Sequence, residues 1–489
     1  MGNWLLGLVA LVAWGCGVSR HTAASKYPAH ELRQDYAVFR KVFEQQHPGL
    51  WWYTPKDSMD VSFDAGYNSI QDSLSENSFR LLLSRVVAQV RCGHTVVRPS
   101  KAAARTPSSI QFPLMLKLWP DTAVVVANLL KQDSVLKKGA VINSIDGIGL
   151  QVIVDSMFHY LSTDGYNQTH KYQTLSNGSV FGRLYLYLFG VRPSYHIGYT
   201  DSLGIAQTAT VPLLQLNRDS SQKIAKQAHR RIGKKERLRT MRDLQVDTTL
   251  DAGFMKLHTF DGHYRLRRFF RQSFRHLQNQ HINHLIIDLR SNGGGAATNF
   301  KLLTQYTASS KFRIADSVYA INRSFKGRGY QTNRWSNWLF LRFVARKAPD
   351  GRYHLRYYER KNVALKKRHH YKGQIYLLTG GNTFSAASLF VQELKGQPNV
   401  TLVGEETGGG AYGNNAWLLP DLVLPHTGVR IKLPQFRMVA NAHAQKGFGI
   451  QPDVFVPPTV DAIRQGRDYK MEAVKKIIAH RRQGAASLR

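Results

Sequence analysis

Apolar residues recur at helical spacing over residues 30–47, where Leu32, Tyr36, Phe39 and Phe43 share a face and Pro48 stops the pattern. A stronger stripe of Phe79, Leu82, Leu83, Val86, Val87 and Val90 follows Ser78 and predicts a second helix, with Gly93 as its C-terminal cap and His94 just past its end. Residues 94–97 then read as a short strand closed by Pro99. Strand patterns return at 123–127 and within 136–147, and Leu150, Ile153, Val154, Met157 and Leu161 mark an amphipathic helix. From Asp247 onward, strands and helices recur. A strand at 253–257 precedes a basic amphipathic helix at 264–278. A buried strand at 284–290 runs into Gly293, Gly294 and Gly295. An apolar run at 375–378 is broken by Gly380 and Gly381, after which Ser385 opens a helix through Leu394. A strand at 400–404, strand-like 429–433, a turn at 447–452 and a helix at 469–481 complete the pattern.

Two of these junctions carry chemistry. A strand, a glycine turn, Ser385 and a helix present a hydroxyl at a helix N-terminus, where free N–H groups favour developing negative charge. A serine in that place also serves simply as a helix cap. The glycines at 293–295 fit neither GxGxxG nor GxxxxGK[ST], so they do not read as a nucleotide loop. Glycines after a strand do let backbone N–H groups approach a ligand closely, as an oxyanion hole requires. Taken alone, His94 reads as a buried structural histidine and Cys92 as a small buried hydrophobe. Residues 108–216 look like a PDZ-type module, in which a strand edge and a helix hold an extended peptide; a plain α+β insertion is the alternative.

Composition narrows the setting. At 489 residues the chain exceeds one typical core, and 43% hydrophobic residues describe a globular protein. The net charge of +35 suits a nucleic acid, anionic lipid or cell-envelope polymers equally. Residues 5–14 form an apolar run too short to span a bilayer, followed by Gly15 and Cys16, which resembles a bacterial secretion signal ending at a lipoprotein-type cleavage site. Export with Cys16 lipidated is the expectation; a simple cleaved signal and a short anchor are the alternatives. Cys92 is then the one free thiol, and no intrachain disulfide forms. The basic run at 218–243 lacks interleaved aromatics for base stacking, so it reads as a linker with an anionic membrane as a candidate contact, and no nucleic acid is expected.

With DLRSNGGG at 288–295, TFSAAS at 383–388, GEETGGG at 404–410 and GIQPD at 449–453, the chain resembles the tail-specific, C-terminal-processing serine protease family over roughly residues 245–460. The resemblance implies an α/β fold with a ClpP/crotonase-like peptidase core, flanked by an N-terminal helical segment and the PDZ-like α+β module. It implies segments 1–20 (signal), 21–107 (helical, carrying His94), 108–216 (PDZ-like), 217–245 (basic linker) and 246–489 (catalytic core), and it makes Ser385 the nucleophile. In the Ser-Lys branch of the family a lysine stands 25 residues after the serine. Here that position is Gly410, and Lys395 lies roughly 15 Å along the helix axis, out of reach. The tricorn-type branch uses a histidine in a GHT-like motif, and Gly93-His94-Thr95 matches it, which implies His94 as general base. The oxyanion would then be held by N–H groups of Ala386 and of Gly294 or Gly295, and the loop with Gly409, Gly410 and Tyr412 would help to select the peptide. No carboxylate lies between Asp421 and Asp453, so the third member is unassigned, with Thr95, Gln445 and Glu405 as candidates to orient His94. The alternative is a silent relative that binds a peptide or a small hydrophobic ligand, as retinoid-binding proteins of the vertebrate eye do on this fold. No cofactor and no metal site are expected.

Overall fold

The structure, a computed structural model, describes residues 26–106, 108–130, 135–216, 233–323, 330 and 332–487. The apolar run at 5–14, Cys16 and residues 218–232 of the basic run lie outside the described residues. Three helices open the chain: α1 (Ala29–Gln46), α2 (Lys56–Asn68) and α3 (Glu76–Gln89). The stripes read from the sequence face inward, with Phe39, Phe43, Phe79 and Leu83 fully buried. They close on Leu422, Leu424, Val429, Ile431 and Leu433 from the far end of the chain, so this core has two sources. A strand pair tightens the junction, Val97–Arg98 lying antiparallel to Arg430–Lys432.

Next comes an antiparallel sheet of β1 (Leu114–Trp119), β2 (Thr122–Asn128), β3 (Val141–Ile145), β4 (Ser194–Thr200) and β5 (Ala206–Pro212), in the order β5-β4-β3-β2-β1. Helices α4 (Leu150–Phe158), α5 (Gln168–Leu175) and α6 (Val180–Phe189) pack with it around a core of its own.

The largest core belongs to a sheet of β6 (Arg242–Asp247), β7 (Ala252–Leu257), β8 (His284–Asp288), β9 (Gln374–Thr379), β10 (Val400–Gly404) and β11 (Val454–Phe455) in that spatial order. Only β6 is antiparallel; the rest are parallel. Parallel strands covered on both faces read as unbroken apolar runs. Here α7 (Leu266–Asn279), α8 (Ala297–Thr307) and α10 (Ala386–Leu394) cover one face, while α11 (Tyr469–Ser487) packs Val474 and Ile478 on the other. Between α8 and α10 the chain adds α9 (Arg334–Val344), and short strands from 317–354 pair with Gly413–Ala416 and Phe436–Val439 as a five-stranded sheet. Among the described residues, no helix is long and apolar enough to cross a membrane.

Three local expectations change. Helix α3 stops at Gln89 because Arg91 takes a left-handed φ of 54°, so Gly93 does not cap it and His94 sits in a turn, with only Val97–Arg98 as strand. The helix read through Leu161 ends at Phe158. The end of the basic run is not linker: Lys234–Met241 is helical and β6 hydrogen-bonds into the core sheet, which therefore begins at Arg242.

Candidate active site

The turn after β9 is fixed before it reaches Ser385. Thr383 Oγ1 donates to Leu289 O (2.9 Å) and accepts from Gly380 N–H (3.1 Å), and Phe384 N–H donates to Asn292 O (3.0 Å). Ser385 then adopts φ 55°, ψ −123° at the N-terminus of α10. A non-glycine residue there stores about 1–3 kcal/mol of strain, which survives only where neighbours over-determine it. Ser388 Oγ–H (2.8 Å) and Leu389 N–H (3.1 Å) both donate to Ser385 O. The hydroxyl itself is half-buried and makes no hydrogen bond among the described residues.

The glycine loop abuts this serine. A Cβ on Gly294 would lie 2.7 Å from Ser385 Cβ and 2.9 Å from Ala386 N, and the residue has φ 97°. Its N–H is taken, donating to Asn292 Oδ1 at 2.9 Å, so Gly294 is not a free oxyanion donor. Gly295 sits in a parallel bridge with Phe260 that uses the Phe260 and Ala296 N–H groups and leaves its own unused. Gly295 and Ala386 therefore each keep an N–H without an acceptor among the described residues.

His94 is buried and its ring packs on Phe384, the residue before Ser385, with centroids 4.8 Å apart. Both ring nitrogens lack a hydrogen-bond partner among the described residues, so His94 and Ser385 are not bonded to each other here. Burial, helped by His170 and Lys432, pulls its pKa down to about 3. Phe384 also stacks on His170 (4.7 Å), whose Nδ1 is 2.7 Å from Gly381 O. A side chain on Gly93 would come within 2.6 Å of Phe384 Cζ. The glycine before His94 thus makes room for the ring before Ser385.

One residue was not legible in the sequence. Asp164, from the loop between α4 and α5, is buried, accepts from Gly93 N–H (2.8 Å) and Gly410 N–H (3.4 Å), and is pushed by burial up to about 7. A ligating atom from each of Cys92, His94 and Asp164 lies within 4.8 Å of the others. Spacing gave no hint of this cluster. Burial, with Asp164 adding to it, holds the Cys92 thiol up at about 12, against the thiolate that a metal would need.

The candidate orienting groups are elsewhere. Thr95 Oγ1 bonds His47 Nε2 (2.8 Å), Glu405 pairs with Lys470 (2.6 Å), and Gln445 is exposed. Lys395 pairs with Asp453. Gly409 is close to the serine, a Cβ there lying 3.1 Å from Ser385 N, and Gly410 bridges to Gly449. Tyr412 packs edge-on against Trp52 (5.5 Å).

Residues 251–456, which hold this serine, the glycine loop and the 404–410 turn, match peptidase family S41. This stretch, the S41 core, is similar to the peptidases of that family. The S41 core accounts for the resemblance read from the four motifs. Mature CPAF is 13% identical, with a TM-score of 0.64 over 92% of this chain and 97% of its own; a CPAF mutant gives 14% and 0.67 over 92% and 97%. Mature CPAF complexed with lactacystin gives 13% and 0.64 over 92% and 98%. At such identities the likeness is one of fold, and it extends beyond the S41 core to α1–α3 and the antiparallel module. No curated protein matches the chain.

Proposed function

We propose that the protein is an exported serine endopeptidase in which Ser385 forms an acyl-enzyme, His94 is the general base and Asp164 holds the charge that His94 acquires. The observation that carries this reading is the strained backbone of Ser385 at the N-terminus of α10, packed against the glycine loop, with the hydroxyl and the N–H groups of Gly295 and Ala386 all without a partner among the described residues. In the reaction, His94 removes the Ser385 Oγ proton as Oγ bonds to the peptide carbonyl carbon. The oxyanion that forms accepts from Gly295 and Ala386 N–H, a contact of the kind worth about 3–4 kcal/mol per donor. The imidazolium then protonates the leaving amine, the C–N bond breaks, and water attacks the ester with His94 again taking the proton and returning it to Oγ. The His94–Ser385 bond forms on substrate binding, as such bonds are commonly long or absent in the free enzyme.

Asp164 would supply the carboxylate that the sequence lacks between Asp421 and Asp453. The peptide would run along the loop with Gly409, Gly410 and Tyr412, with the antiparallel module as a PDZ-like selector. Export rests on the 5–16 sequence, and a diacylglyceryl group on Cys16 would be seen in the mass of the N-terminal peptide. Fluorophosphonate labelling, mapped by mass spectrometry, tests the chemistry. Labelling at Ser385 that vanishes in Ser385→Ala and His94→Ala is expected. Persistence in His94→Ala removes the histidine base, and no labelling of folded protein in the presence of peptide favours the silent relative.

A further inference from the structure

Helix α9 departs from the rule that helices of this core hide their apolar side. Leu341 is buried and Phe340 packs partly against the main core. On the opposite side Trp335, Trp338, Leu339 and Phe343 are 71%, 44%, 52% and 70% exposed. At 3.6 residues per turn these four occupy an arc of roughly 140°. The two tryptophans meet edge to face at 6.4 Å. A contiguous exposed apolar face of this kind marks an interaction site.

We propose that this face of α9 docks on an anionic lipid surface. Charge argues for that occupant. Between Asp316 and Asp350 the sequence holds no acidic residue, while Arg342, Arg346 and Lys347 are exposed beside or within the apolar arc. A second copy of the chain would bring its own +35 to the contact. With 11 residues the helix is too short to span the bilayer. It suits the interfacial plane, where tryptophan rings sit at headgroup level, aliphatic stems of arginines cross the apolar zone, and each basic residue adds roughly fivefold to binding. None of these four apolar side chains is among the residues placed around Ser385, and the proposal is independent of the peptidase mechanism. This face would add a second attachment to a lipid on Cys16.

The test uses the full chain carrying Cys16→Ala, sedimented with vesicles of phosphatidylglycerol and phosphatidylcholine or of phosphatidylcholine alone. Binding to the anionic vesicles that weakens with salt, and that falls about tenfold or more in Trp338→Glu/Phe343→Glu, is expected. Should the double variant lose its thermal transition, Trp338→Phe replaces it, with a loss of fluorescence quenching by bromolipids as the expected readout. Equal binding by parent and double variant overturns the proposal, as does a parent dimer that the double variant abolishes, which would give the face to a second copy. Fluorophosphonate labelling of Ser385 should be the same in parent and variant, so this proposal and the peptidase reading fail separately.

Discussion

Gly294 and Gly93 are defined by the side chains they lack. A methyl group on Gly294 would lie 2.7 Å from Ser385 Cβ at a backbone φ of 97°, so neither space nor backbone tolerates it. Gly294→Ala is expected to displace the serine and lower fluorophosphonate labelling by about 100-fold, while the thermal midpoint drops only by the few degrees that about 1–2 kcal/mol implies. Asp164 gives a pH signature. Its pKa rises from an ordinary carboxylate value to about 7, so the folded chain prefers the protonated acid; the stability this contributes is complete at low pH and is lost as pH rises through about 7. The ionised form is the one that matches a His94 imidazolium. Activity should therefore rise through about pH 7, where stability falls, and His94 itself, neutral above about 3, adds no acid limb near neutrality. Asp164→Asn should flatten both profiles and lower kcat/KM by about 100-fold or more. An unchanged rate profile in that variant would remove Asp164 from the site.

At the scale of elements, α10 carries both the N-terminus that serves Ser385 and an awkward carboxylate near its other end. Burial, with Asp316 adding to it, raises Glu393 to about 7. The folded state thus favours the neutral acid, a contribution present below the ordinary glutamate range and lost as pH climbs through about 7. Glu393→Gln should leave stability unchanged near pH 4 and raise it by about 2 kcal/mol at pH 8 after allowance for solvent screening, read from denaturant midpoints. Elements such as α10 were legible because strand, glycine turn and helix follow one another locally, and the parallel strands because they are apolar on both faces. The end of α3 was misread: Gly93 looks like a cap, but its role is to admit the Phe384 ring from 291 residues away. The five-stranded sheet left no period to read, since its strands run to at most four residues and pair across the chain. Asp164 was hidden for the same reason. Its partners Gly93 and Gly410 are 71 and 246 residues distant, and no local pattern reports a contact of that range.

Over the whole molecule, the proposed nucleophile and base come from separate stretches, so the site exists only if the N-terminal helices stay seated. The seat is a shared core plus one buried carboxylate. Asp35 on α1, fully buried, accepts from His426 N–H (2.9 Å), Thr427 N–H (2.9 Å) and Thr427 Oγ–H (2.7 Å), which caps the turn joining Asp421–Val423 to Arg430–Lys432. Removing the acceptor strands the two buried Thr427 donors and the part-buried His426 N–H, and Asp35→Ala should cost about 2–4 kcal/mol. Because α1–α3 and residues 422–433 bury one cluster, the loss should be cooperative: hydrogen exchange should speed up together in α1 and across 421–433, while β8 and β9 in the S41 core keep their protection. Labelling of Ser385 should then fall in step with exchange in α1, since His94 leaves with the helices that hold it. Faster exchange in α1 alone, with 421–433 and labelling unchanged, would mean that the N-terminal helices form a unit of their own and that His94 is not what activates the serine.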